Sequence, residues 1–406
     1  MLVTLIPLFD ENMIVKAYSL FTQKDKYLNQ EDSTTEQNEV TTAIEGLDVI
    51  KSMGVDAFSG SKEIFVTLNL LSIFTKFEDE CGISPGQLVF LIDSTLPPEE
   101  LYINRLKEIK RKGYKLAIRK LEIRQYQQYQ KILELMDYMF FDYKKMDISR
   151  GRIFFSKQFP HIKLCAGNLD SREAFDRLKA QGGYRFYEGP FYRTPITQGQ
   201  HEVMPLKVNY IELLNLVNED DYELKMAADI ITRDTALAIS LLKSVNKFAR
   251  NSEIVSIKYA AATLGQKELR RWINTVVANH LYSDKPNEIT RLSLLRAKFA
   301  ENLAPLFGLA MQASELFLMG LFSVVDLILE MPMSEALKKL KLSAQIREAL
   351  INHQGGLDTI YEFMLYYENA NWQETTKIMT SQNIEAQDVY EAYANSLGWY
   401  RDLIAN

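Results

Sequence analysis

Residues 6–23 read IPLFDENMIVKAYSLFTQ: an apolar run, the polar triplet Asp10, Glu11, Asn12, and a second run rich in β-branched and aromatic side chains. Two extended runs joined by a short polar turn predict a hairpin of strands Val3–Phe9 and Ile14–Phe21. Working outward, runs of the same kind recur at Ile64–Leu71, Gln87–Asp93, Tyr114–Leu121, Tyr138–Tyr143, Ile162–Ala166 and Tyr184–Glu188. Helix signals fall between most of them. PPEELYINRLKEIKRKG opens on Pro97-Pro98, turns Leu101, Leu106 and Ile109 inward and stops at Gly113. DSREAFDRLKAQGG offers Asp170 as the N-cap, Glu173 three residues on, and Gly182-Gly183 as the stop. Eight strands with interleaved helices predict an α/β fold, a (β/α)8 barrel whose first strand is antiparallel. NQEDSTTEQNEVTT, from Asn29, reads as a polar surface loop.

The pattern changes after Pro195. TPITQGQHEVMP reads as a linker, and from Leu206 onward the periodicity is helical. Leu237, Leu241, Val245 and Phe248 fall on one helix face, as do Leu269, Trp272, Ile273, Val276 and His280. The expected division is a barrel over 1–199 and an all-α domain over 200–406. Leu303–Val325 is apolar and long enough to span a bilayer, but Pro305, Gln312, Ser314 and Glu315 interrupt it. Buried core helices are expected there instead. The N-terminus has no basic segment before its apolar run and no small-residue cleavage site, so it does not read as a signal peptide.

Of the 406 residues, 47 % are hydrophobic and 25 % charged, which excludes a chain that is mainly disordered or fibrous. The net charge of −6 argues against a general nucleic-acid binder. Two cysteines, Cys81 and Cys165, make neither a disulfide framework nor a four-thiolate zinc site and point to a reducing, cytoplasmic setting. No phosphate-cradling glycine motif is present. The histidines, His161, His201, His280 and His353, show no zinc spacing, and none precedes an Asp. The basic run Arg105–Arg124 reads first as a solvated helix face plus a strand. As a phosphate-attracting patch it would need steeply salt-dependent nucleic-acid binding. Within it, Arg119 and Lys120 sit late in a barrel strand, where that architecture places its site. Met311, Met319, Met331 and Met333 read as core filling, with an adaptable partner groove as the alternative. YEFMLYYENANW, from Tyr361, reads as packing near the C-terminus.

These segments resemble a known pair of domains. IPLFDENMIVKAYSLFTQ is similar to the opening hairpin of the EAL domain, a cyclic-di-GMP phosphodiesterase barrel. GYKLAIRKL resembles its Asp-Asp strand, and YRFYEGPFYRTP its closing segment. In the second half, LLKSVNKFARNSEIVSIKYAAATLG, with Asn246, Ser256-Ile257 and Leu264-Gly265, resembles the HDOD signature, as GLFSVVDLILEMPMSEALKKLKLSAQIREAL resembles its late helices. Together they look like the bacterial YuxH-like EAL–HDOD signalling family.

Active EAL domains are understood to use divalent metals held by carboxylates and an amide, with a base for water. Position by position, the resemblance puts the name-motif Glu at Ser19 and its following Arg at Gln23. The Asn of the next strand falls on Thr67, with Asn69 nearby on the same face, and the next Glu falls on Phe90. The Asp pair falls on Arg119 and Lys120. The Lys falls on Phe140, with the acid two residues on kept as Asp142. A Glu falls on Gly167 with its companion kept as Asp170, and the closing Gln falls on Glu188. The metal-binding His-Asp of HD hydrolases falls on Ser323-Val324. The resemblance therefore implies a degenerate barrel without catalytic residues and without Mg²⁺ or Mn²⁺. Arg119 and Lys120 would stand in for the metals electrostatically and pair with Asp142 and Glu188. The expected role is signalling linked to cyclic-di-GMP through unidentified protein partners, with no nucleic acid and no membrane. Homodimerisation is left open. The rivals are a cyclic-di-GMP receptor that binds without cleaving and an active phosphodiesterase with displaced ligands.

Overall fold

The computed structural model describes residues 2–23, 44–53, 62–76, 84–195, 205–219, 221–247, 254–281 and 287–404. The expected loop from Asn29, most of the linker after Pro195, His201, Cys81, Phe248 and the His280 side chain lie outside the described residues. Two compact units emerge: residues 1–194 with 363–406, and residues 195–362.

In the first unit eight strands close into one barrel in chain order. They are β1 (Val3–Phe9), β2 (Val15–Thr22), β3 (Glu63–Thr67), β4 (Leu88–Asp93), β5 (Lys115–Arg119), β6 (Tyr138–Asp142), β7 (Lys163–Gly167) and β8 (Phe186–Glu188). β1 runs antiparallel to both its neighbours, and all other neighbours are parallel. The hairpin turn forms because the Asp10 carboxylate accepts the backbone N–H groups of Asn12 and Ile14, an Asx turn. The strand interiors alternate. Leu8, Ala17, Phe65, Val89, Leu91, Ala117, Tyr138, Phe140, Cys165 and Phe186 fill the lumen as a packed core. The Phe65 ring meets Tyr138 at 5.2 Å, Phe140 at 5.4 Å and Phe186 at 6.2 Å.

The outer helices of this unit are α1 (Glu45–Met53), α2 (Glu100–Arg111), α3 (Gln130–Leu133), α4 (Ile148–Gln158) and α5 (Arg172–Gln181). α2 buries Ile103, Leu106 and Ile109, while Leu101, expected inward, is exposed. α4 starts at Asp147, whose carboxylate accepts from Ser149 N and Arg150 N. α5 is capped by Ser171, whose Oγ accepts from Ala174 N at 3.3 Å, and not by Asp170 as expected. Both residues suit a cap, but the helix begins at Arg172, which puts Ser171 at the cap position and Asp170 one residue outside it, where it pairs with Lys144. The stop at Gly182 (φ 66°) is as expected.

The helical unit holds α6 (Pro205–Val217), α7 (Leu224–Thr232), α8 (Thr235–Asn246), α9 (Ile257–Leu281, kinked at Gly265), α10 (Asn287–Leu303), α11 (Ala313–Phe322), α12 (Val325–Leu329), α13 (Met333–Ala336) and α14 (Ala344–Asn352). The apolar stretch 303–325 is divided among α10, α11 and α12, with buried Leu316, Met319 and Phe322. No described helix is long and apolar enough to cross a membrane. Met319 and Met331 are core, whereas Met311 is almost fully exposed.

The helical half divides differently from the expected single domain over 200–406. Helix α15 (Asp358–Glu368) begins in the helical unit and ends in the barrel unit, and α16 (Trp372–Gln382) and α17 (Ala386–Ile404) belong with the barrel. The reason is local. Tyr367 is buried among Phe363, Trp372 and Tyr393, and its hydroxyl accepts the β1 backbone N–H of Val3 at 3.3 Å.

Candidate functional site at the barrel mouth

β5 carries Lys115, Ala117 and Arg119 on its lumen face, because alternate residues share a face and Ala117 is in the lumen core. Arg119 is therefore delivered, 4 % exposed, to the end of the barrel where the parallel strands finish. Its guanidinium lies 4.9 Å from the Phe21 ring centroid and 5.0 Å from that of Phe140, a cation held between two aromatic faces away from water. Arg119 Nη2 reaches Glu188 Oε2 at 3.3 Å, and Ser19 Oγ donates to the same oxygen at 3.4 Å. Glu188 is fully buried. Burial pushes its carboxyl above the usual range, and the Arg119 charge and the Ser19 hydroxyl act in the opposite sense.

Asp142 sits two residues beyond Phe140 on the same face of β6. Its Oδ1 accepts from Asn168 Nδ2 at 3.1 Å and from the Lys144 backbone N–H at 2.9 Å. Four buried atoms at these residues lack hydrogen-bond partners: Arg119 Nε and Nη1, Glu188 Oε1 and Asp142 Oδ2. Buried polar atoms are paired in the great majority of cases, so a cluster of orphans marks a place where solvent or a ligand is expected. Backbone strain gathers at the same rim. The residues directly after β5, β7 and β8, Lys120 (φ 56°), Asn168 (φ 65°) and Gly189 (φ 141°), all have positive φ. At Gly189 a Cβ would lie 2.2 Å from the Leu169 carbonyl oxygen, so only glycine fits.

The positions singled out from sequence separate into two groups. Ser19, Arg119, Phe140, Asp142 and Glu188 come together at the mouth. Thr67 ends β3 and is half-buried, and Gly167 ends β7 in register with Asp142. Phe90 is not part of the site. Val89 and Leu91 take the lumen side of β4, and Phe90 faces outward with its ring 5.3 Å from Tyr114. Lys120 has left the strand. Asp170 is half-exposed and pairs with Lys144 at 3.0 Å. Phe21 and Asn168 complete the site without having been singled out. The signal for Asn168 was an asparagine at a strand end, the residue type that best tolerates a left-handed backbone.

Among the described residues no three His, Cys, Asp or Glu side chains gather in one place. At the mouth the two carboxylates share their space with a guanidinium.

Five members of the basic run are engaged separately. Arg105 donates to the Ile73 and Thr75 carbonyls, Lys110 pairs with Asp137, Lys115 with Glu63, Arg119 with Glu188 and Arg124 with Glu122. In the helical unit Ser323 is buried. Its Oγ donates to the Gly320 carbonyl at 2.7 Å and accepts from Arg296 Nη1 at 3.0 Å. Val324 beside it is core.

Residues 204–354 match the HDOD domain family. The chain is 27 % identical to the YuxH protein of Bacillus subtilis over 98 % of its own length and 97 % of that protein. It is 26 % identical to the cyclic di-GMP phosphodiesterase CdgJ of Vibrio cholerae, over 78 % of this chain and 74 % of that one. Among solved structures, a standalone EAL protein of V. cholerae in its c-di-GMP-bound form covers 48 % of this chain and 91 % of its own, at TM-score 0.35 and 14 % identity. The B. subtilis YkuI protein, with an EAL domain, covers 66 % and 73 %, at TM-score 0.36 and 13 % identity. The chain thus carries an HDOD domain at residues 204–354 behind an eight-stranded barrel, and it is a homologue of YuxH and CdgJ.

Proposed function

We propose that this protein is a non-hydrolysing signalling protein of cyclic-di-GMP-linked pathways, acting in the cytoplasm through protein partners. The observation that carries this reading is the Arg119 guanidinium, buried at the barrel mouth and paired with Glu188. A metal-dependent phosphodiester hydrolysis needs clustered anions to hold the cation and a base for water. A buried cation at the centre of the mouth opposes a second, divalent one by like-charge repulsion. The pathway link is supported by the relationship to CdgJ, which is named as a cyclic di-GMP phosphodiesterase.

A second reading, a receptor that binds the dinucleotide without cleaving it, is favoured by one observation. Two N–H groups of Arg119 and two carboxylate oxygens are buried without partners at the mouth, a donor–acceptor set that a ligand could engage. One experiment separates the two. The protein is titrated calorimetrically with cyclic-di-GMP, with and without Mg²⁺, and the same mixture is assayed for cleavage. No heat at about 100 μM protein bounds the affinity as weaker than roughly −5 kcal/mol and leaves partner binding as the function. Heat without cleavage makes the barrel a receptor. Metal-dependent cleavage overturns both.

A further inference from the structure

The helical unit is inserted into the barrel unit, leaving it after Thr194 and returning at Phe363. Both junctions lie beside one side chain. Arg193, the last residue before the exit, forms an ion pair with Glu368 and a hydrogen bond to Asn369, a few residues past the return. The two charged side chains are only 13 % and 16 % exposed. The neighbouring Tyr367 accepts the Val3 N–H. Val3 opens the antiparallel β1 and pairs with Thr22, the last residue of β2, so this contact also lies at the mouth rim. The end of α15 therefore holds the start of β1 and the segment after β8.

Those two strands form the barrel's seam. β8 is three residues long and joins β1 through Leu8–Glu188 and Phe9–Tyr187 only, and β7 through two further pairs. Leu169 N donates to the Glu188 carbonyl and Phe191 N to the Leu169 carbonyl, while Phe9 packs on Phe191 at 5.3 Å and Tyr192 at 4.8 Å. Arg193 is thus continuous, through residues 188–192, with the carboxylate that pairs with Arg119.

We infer that α15 is a rim latch: a change in the helical unit that displaces this helix is transmitted through Arg193 to β8, and so to the Arg119–Glu188 pair. A short ladder opens at low local cost, so an external brace decides its population of open states.

The test is amide hydrogen exchange on the full-length chain. Arg193→Glu and Glu368→Arg should each raise exchange in residues 3–5 and 186–191 by about tenfold while β4 stays unchanged, and the two together should restore protection. Ile360→Gly, which loosens the half of α15 that lies in the helical unit, should raise exchange in 186–191 by a similar factor. The latch is refuted if 186–191 stays within about threefold of the parent in any of these single variants, or if β4 rises equally, which marks a general loss of stability. Failure of the charge swap to restore protection refutes it as well.

Discussion

The two ends of the barrel carry similar residue types in different states. Where the parallel strands begin, Glu63 accepts the Tyr138 hydroxyl on both oxygens, at 3.0 and 2.8 Å, and pairs with Lys115, whose Nζ also reaches the Gly86 carbonyl at 3.2 Å. Where those strands end, Arg119, Glu188 and Asp142 are more deeply buried yet keep four polar atoms unpartnered. A cluster that only closes a barrel end has no reason to leave such atoms unsatisfied, since each costs about 1–3 kcal/mol when buried. The first end is built for stability. The second leaves buried donors and acceptors for solvent or a ligand to meet.

The largest break in this comparison is expected from Arg119→Ala. It leaves Glu188 buried without its countercharge and should cost about 3–5 kcal/mol in denaturant unfolding. Replacing both partners, Arg119→Leu with Glu188→Leu, should recover most of that loss, because a buried ion pair is often no better than an apolar pair of similar volume. If the double variant is as unstable as the single, the ion pair itself stabilises the mouth and the contrast between the ends fails. At the opposite end, Lys115→Ala should cost only about 1 kcal/mol. Its side chain is a third exposed, and Glu63 keeps both Tyr138 contacts.

Much of the fold was legible because strand periodicity and turn residues are local signals. β1 was read at its observed bounds, and the other strands to within a few residues. The third was read too long because Leu68, Leu70 and Leu71 continue the apolar run after the strand has ended at Thr67. The site was legible only through the resemblance, and unevenly. Assigning Phe90 to the mouth was a one-residue slip, which in a strand moves a side chain to the opposite face. The Arg119–Glu188 contact joins residues 69 positions apart, and no spacing rule encodes it. Residues 363–406 read correctly as helical, but which unit they cover depends on Tyr367 meeting the backbone of Val3, a contact 364 residues long-range.

The smallest effect sharpens the comparison through pH. Burial raises the Glu188 carboxyl in the folded protein above its value in the unfolded chain, so the folded state holds that proton more tightly. The contribution of this group to stability is then fully present below its unfolded value, near 4.5, and is lost as pH rises through the folded value. In urea titrations across this window, the stability of the parent relative to Glu188→Gln should fall as pH rises above 4.5 and level off once Glu188 is ionised in the folded state. A flat parent–Glu188→Gln difference would mean that Arg119 compensates the buried carboxylate in full. The mouth would then be as well satisfied as the opposite end, and the four orphan atoms would lose their meaning as a mark of function.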